Sequence, residues 1–242
     1  MVPQGGLKLT GVPPGVSQAD ILRALKNVNA TPLLGAVALE SANIVSADAK
    51  RRVLSRRQTA EEHFNTSGTP VGHGFTATNR AHGTAYYTFE PSSSVLGIVL
   101  DTCNPNRYSE GPTDKPQFDW PKLVLATNTN KHIMVFSHHT AGTMTNRLRV
   151  TGLDVRQRIL GPAVLTELHK YPNVVAWVNG HTHRNQVVAQ KRFLKPGFWE
   201  INTASHVDFP QQSRIIELVD NTDGTLSIFT TMVDHAGPAS YG

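Results

Sequence analysis

The sequence predicts an α/β fold, and three observations carry that expectation. Three short apolar runs, SVLGIVLDTCN, KHIMVFSHHT and NVVAWVNGHTH, each stop abruptly at polar residues. Continuous Val/Ile/Leu runs without alternation suit strands buried on both faces. Segments with helical spacing separate the runs, and 19 Gly and 15 Pro punctuate the rest of the 242 residues. Hydrophobic residues make up 39% and charged residues 17%, a globular composition long enough to enclose a real core.

Taken in order, residues 1–65 read as a loop- and helix-rich N-terminal segment and residues 66–242 as the core domain. In the first segment SQADILRALKNV predicts a short helix, and VSADAKRRVLSRRQTAEEHF, residues 45–64, an exposed one. The latter's Lys50, Arg51, Arg52, Arg56 and Arg57 form a solvated face. Turn formers then lead to a strand at AYYTF. A helix around QFDWPKLVLAT lies between the first two apolar runs. Between the second and third, LDVRQRILGPAVLTELHKY places Val155, Ile159, Leu160, Val164 and Leu168 near helical spacing. Gly161-Pro162 kinks or restarts that helix. Beyond the third run, GFWEINTAS, SRIIELVD and TLSIFTTMVD predict strands, the last two a hairpin across NTDG.

Bulk properties exclude several functions. A formal charge of +5 favours anionic ligands. No basic stripe is interleaved with aromatics, so nucleic acid is not an expected partner. The single cysteine, Cys103, rules out an internal disulfide and a cysteine-built zinc site, and reads as a small buried thiol. No apolar stretch is long enough to predict a membrane span. The opening MVPQGGLKLTGVPPGV lacks the charged and apolar regions of a signal peptide, which as written predicts a cytoplasmic chain.

Chemistry concentrates where the apolar runs end. His138 and His139 close the second run, and His181 and His183 close the third, while Asp101 ends the first. In open α/β sheets ligands bind at that edge. Imidazoles converging from two strand ends predict a metal site. Asp101 is either the edge of that site or a turn residue, and His206, in NTASHVDFPQQSR, follows a later strand towards the same edge. His63, His73, His82, His132, His169 and His235 show no partner pattern.

VFSHHT, followed after a helix-containing crossover by VNGHTH, resembles the calcineurin-like metallophosphoesterase superfamily. GTAYYTFE, GIVLDTCN, PQFDWPKL, GTPVGHGFT and ASHVDFPQQSR are similar to a bacterial, largely actinobacterial, subgroup, and the resemblance runs from about residue 60 to the end. It implies a four-layer α/β/β/α sandwich with flanking helices. It also implies two divalent ions (Mn, Fe or Zn) and hydrolysis of a phosphoester, either a small molecule or a phosphorylated substrate. By this resemblance His138, His181 and His183 are metal ligands. His139 orients phosphate or protonates the leaving oxygen.

The family's Asp-x-His, Gly-Asp and Gly-Asn-His-Asp motifs do not occur. Three neutral imidazoles can hold one ion. Two ions without an anionic bridge leave four positive charges uncompensated at short range. The expectation is therefore the C-terminal part of such a domain, holding at most one ion and inactive or impaired alone. Its sheet edge would be exposed to self-association, and a missing N-terminus could have carried an export signal. Pro121 stands where the family helix continues with an aliphatic residue, which suits a first-turn position. Two other readings use the same residues: a mononuclear zinc hydrolase built on the three histidines, and a non-catalytic remnant or partner subunit.

Overall fold

The computed structural model describes residues 7–8, 43–44, 54–106, 108–151, 154–192 and 195–237. The helix expected over 17–28 and the stretch 45–53 lie outside them. The chain divides into two units, residues 1–59 and 60–242. In the first, β1 (Leu7–Lys8) pairs antiparallel with β2 (Asn43–Ile44). Helix α1 (Arg56–Phe64) starts behind Ser55, whose hydroxyl donates to Gln58 Oε1 at 3.0 Å and accepts from the Gln58 N–H at 3.3 Å.

In the second unit α2 (Ala77–His82) arises within the turn-rich stretch, where no helix was expected. Thr76 and Asn79 form a reciprocal capping box and Gly83, at φ 64°, ends the helix. Then follow β3 (Tyr87–Ser92), β4 (Val95–Val99), β5 (Thr113–Asp114), α3 (Lys115–Thr127), β6 (His132–Phe136) and β7 (Arg158–Ile159). After these come α4 (Gly161–Leu168), β8 (Val174–Asn179), β9 (Gln186–Arg192), β10 (Lys195–Asn202), β11 (Ser213–Asp220) and β12 (Leu226–Val233). Six strands form one sheet in the order β3-β4-β6-β8-β10-β9. The inner four are parallel, and β3 and β9 close the edges antiparallel.

The apolar runs are buried on both faces, as their composition predicts. Along β6, Ile133 and Val135 face one cluster while Met134 and Phe136 face another. The first cluster takes in Leu125 of α3 and Val164 and Leu168 of α4. The second takes in Ile216 of β11 and Ile228 of β12. Helices, mixed sheet and β11–β12 ribbon therefore stack as α/β/β, three layers of the expected four-layer order. Among the described residues no helix is long and apolar enough to cross a membrane.

Several expectations need correction. Pro121 lies inside α3 rather than in its first turn, because Asp114 accepts from the Gln117 N–H at 3.0 Å and starts the helix earlier. Pro116 occupies the opening position instead. The segment before Gly161 is not helical: β7 pairs with β5, and α4 begins at Gly161. No other residue fits at Gly161, where a Cβ would stand 1.8 Å from the Ala141 carbonyl oxygen. Strand β9 lacks the apolar run that identifies the others, since its residues are mostly exposed. Cys103 is exposed, not a buried thiol.

Candidate metal centre

The ends of β6 and β8 are tied together before any histidine is considered. Ser137 donates its backbone N–H to the Val178 carbonyl at 3.1 Å, and Gly180 donates to the His138 carbonyl at 3.0 Å. The Ser137 hydroxyl accepts from Trp177 Nε1 at 2.8 Å and donates to the His139 carbonyl at 2.7 Å. The buried indole thus fixes the turn that carries His138 and His139.

The turn after β8 is strained. His181 and His183 both have left-handed backbones, φ 67° and 55°, uncommon for residues with a Cβ. Asn202, at the end of β10, holds them there. Its Oδ1 accepts from the Thr182 hydroxyl at 2.5 Å, and its Nδ2 donates to Asn179 Oδ1 at 2.8 Å and to the Gly180 carbonyl. Asn179 in turn donates to Glu200 Oε1 at 2.9 Å, which also accepts the Ala141 N–H at 2.8 Å. Gln190 Nε2 donates to Glu200 Oε2 at 2.5 Å. Asn179, Glu200 and Asn202 are all buried, and a satisfied polar network of this kind rigidifies what it carries. A cleft of about 410 Å³ opens beside it and shares Thr140 and Thr182 with the two histidine segments.

On this scaffold His138, His139 and His181 converge, with one donor nitrogen from each lying within 4.8 Å of the others. His138 Nε2 and His181 Nδ1 are 3.1 Å apart. Two nitrogens bound at about 2.0–2.1 Å to one tetrahedral ion would stand about 3.3 Å apart. The observed spacing needs little change to accept an ion. Burial lowers the pKa of both rings, and neighbouring histidines lower His138 further. At neutral pH both are uncharged imidazoles with a lone pair available, the form a metal requires.

His139 is different. Burial pushes its pKa down to about 4, against the raising effect of its bond to Ser109. Its Nε2 lies 2.5 Å from the Ser109 carbonyl oxygen, which can only accept, so Nε2 carries the proton. Its Nδ1 therefore accepts from the Thr102 hydroxyl at 2.8 Å. Both nitrogens are engaged.

His183 lies outside the group of three, its Nδ1 2.6 Å from Asp208 Oδ2. It remains near enough for its charge to act on His138 and His181. His206 Nε2 contacts the Ser213 hydroxyl at 2.8 Å and is not among the three grouped histidines. Asp101 accepts the Cys103 N–H at 3.0 Å, and its backbone is held at both N–H and carbonyl by Gln117, each at 2.6 Å. That is the turn reading. Sequence reasoning did not find Asn202, Glu200, Thr102 or Ser109. Asn202 carried a usable signal, a polar residue closing the strand in WEINTAS as His138 closes VFS. The others act through contacts distant in sequence.

No family model matches the chain, and no curated protein does. Among solved structures it is similar to a dimetal phosphatase from Danio rerio, at 15% identity and a TM-score of 0.37 over 56% of each chain. It is also similar to a hypothetical protein from Thermus thermophilus, at 14% identity and a TM-score of 0.36 over 61% of each chain. The chain spans less than two thirds of the length of either. What the cluster can do follows from its donors.

Proposed function

We propose that the second unit carries part of the metal centre of a phosphoric ester hydrolase, with His138 and His181 holding a divalent ion. The observation that carries this reading is the 3.1 Å approach of two uncharged imidazoles at adjacent strand ends. The motifs VFSHHT and VNGHTH support the choice of phosphoester chemistry. His183 is a further ligand once it releases Asp208. His139, with its only N–H on Ser109, acts as a positioning residue rather than as an acid. An ion here supplies Lewis-acid neutralisation of phosphoryl oxygens. The chain's own part is to present lone pairs at a fixed spacing and to offer the adjoining cleft to a phosphorylated small molecule.

One ion is expected, because among the described residues the clustered donors are three histidines with no bridging carboxylate. Titration calorimetry with Zn²⁺ and Mn²⁺ tests this. One equivalent should bind, and His138→Ala should weaken binding at least a hundredfold. Binding unchanged in both His138→Ala and His181→Ala would overturn the reading. With one ion, little turnover of an aryl phosphate is expected, and turnover that survived His138→Ala would remove the histidines from the chemistry. A mononuclear zinc hydrolase is the second reading, favoured by the same one-ion donor set. Zinc-dependent hydrolysis of a carboxylate ester, with none of a phosphate ester, would select it. Self-association through a sheet edge is checked by sedimentation velocity over a tenfold concentration range.

A further inference from the structure

Asn202 holds the turn that carries His181 and His183, and it lies at a strand end that needs a hold of its own. Arg214 of β11 supplies it. Its Nη2 donates to the Asn202 carbonyl at 3.4 Å and to Asn185 Oδ1 at 3.1 Å. Asn185 follows the turn, two residues beyond His183. Its Oδ1 also accepts the Ala204 N–H at 3.0 Å, and its Nδ2 donates to Gln212 Oε1 at 2.6 Å. Arg214 Nη1 donates to Thr230 Oγ1 of β12 at 3.1 Å. One guanidinium therefore joins the β11–β12 ribbon to the residue beneath the turn and to a residue that leaves it.

This arginine is placed at a cost. Burial pulls its pKa below the usual arginine value, and no acidic neighbour opposes the shift. Its Nε–H is buried without a hydrogen-bond partner among the described residues. Its hydrogen bonds run to uncharged oxygens. A partly buried cation with an unmade bond and no carboxylate beside it is unfavourable as packing alone. The next inward residue of β11, Ile216, shows what packing asks for at such a position, an apolar side chain in the second cluster. A guanidinium provides something else, a planar fork whose N–H groups point in fixed directions. Here the fork sets the separation of Asn202 and Asn185, and the left-handed backbones of His181 and His183 lie between these two residues in the chain.

We propose that Arg214 is a positioning residue of the metal centre, through which the β11–β12 ribbon keeps the His181–His183 turn in the form that binds an ion. The inference rests on the metal reading above and deepens it. The ribbon, which contributes none of the grouped histidines, becomes part of the site's support.

The test uses the full chain, with Zn²⁺ titration for affinity, Co²⁺ as a spectroscopic probe and urea denaturation for stability. Arg214→Met keeps an apolar stem and removes the fork. It should weaken Zn²⁺ binding at least tenfold and shift the visible Co²⁺ bands. Arg214→Lys returns the charge and some of the bonds, and should fall between Arg214→Met and the wild type. Ile216→Ala is the control for a loosened ribbon: it should lower stability while Zn²⁺ affinity stays within twofold and the Co²⁺ bands stay in place. Unchanged affinity and spectrum in Arg214→Met overturn the assignment. So does an Ile216→Ala variant that moves both as far as Arg214→Met, since any softening of the ribbon would then suffice. Should Arg214→Met fail to fold, Asn185→Ala decides, because it removes the fork's acceptor beyond His183. A threefold or greater loss of affinity with shifted bands supports the proposal, and neither change overturns it. His181→Ala separates the two levels. Loss of binding there with none in Arg214→Met removes Arg214 and keeps the histidine site, whereas no loss in either removes the site.

Discussion

Two strand ends meet at this centre and are built on opposite plans. The end of β6 is relaxed, with an exposed His138 in front of a buried His139. Its His139 is 2% exposed, and both ring nitrogens are hydrogen-bonded. The end of β8 is half-buried and strained, with two left-handed histidines kept in place by side chains beneath them. One end obtains its geometry from what surrounds the ring, and the other from what lies under the backbone. Strain gathers where a ligand would be engaged, while the relaxed end supplies the frame.

The largest effect is expected from cutting the support under β8. Asn202→Ala removes the acceptor of the Thr182 hydroxyl and the donor to Asn179 Oδ1 and the Gly180 carbonyl. Losing several buried bonds at once should cost about 3 kcal/mol in urea denaturation. Zinc affinity should fall with it, since the turn then relaxes away from φ values its residues do not prefer. A loss under about 1 kcal/mol would show that the left-handed turn holds itself.

His139→Ala attacks the β6 end instead. It opens a cavity, removes the donor to the Ser109 carbonyl and takes the ring acceptor from the Thr102 hydroxyl, for about 2 kcal/mol. Here stability should suffer more than metal affinity, because His139 frames the site in the present reading. A variant of unchanged stability that bound no metal would make His139 a ligand and reverse the contrast.

A polar knot around Asp154 should show in acid. Asn104 and Asn106 both donate to the Leu148 carbonyl, at 3.1 and 3.0 Å, and Asp154 donates its N–H to Asn106 Oδ1 at 3.1 Å. Hydrogen bonds from the Arg156 guanidinium hold the Asp154 carboxyl well below the usual carboxylate range, and Arg158 adds to them. A depressed folded-state pKa contributes stability that is complete above the unfolded value, about 3.9, and is lost as pH falls through the folded one. Wild-type stability should therefore decline below about pH 4. Asp154→Asn should start lower and flatten that decline, read by denaturation at pH 3 to 6.

Which parts were legible in the sequence follows the same division. Strands buried on both faces announce themselves as apolar runs, so β4, β6 and β8 and the polar residues ending them were readable, His138 and His181 included. Strand β9 was not, because an exposed edge strand satisfies its backbone without an apolar pattern. Helix α2 was hidden by its own cap, since Thr76 and Asn79 are also turn formers. Pro121 misled by suggesting a first turn, when Asp114 and Pro116 had already started α3. The supports of the site, Thr102 for His139 and Asn202 for Thr182, act across 37 and 20 residues. No local pattern records contacts of that span.

The smallest effect sharpens the contrast most. His183→Gly removes one left-handed side chain and one contact with Asp208. That contact is exposed on both sides, and such pairs contribute about 0–1 kcal/mol. Glycine accepts the left-handed backbone without the steric cost a Cβ carries, though it also gains freedom in the unfolded chain. The two terms nearly cancel, so in the presence of a chelator stability should change by no more than about 0.5 kcal/mol. Zinc affinity then reads the role of His183 with no folding contribution mixed in. A tenfold loss makes it a ligand that leaves Asp208 when the ion arrives, and the strain at φ 55° is then maintained for binding. Unchanged affinity assigns the turn's strain to His181 alone, and His183 becomes a surface residue paired with Asp208.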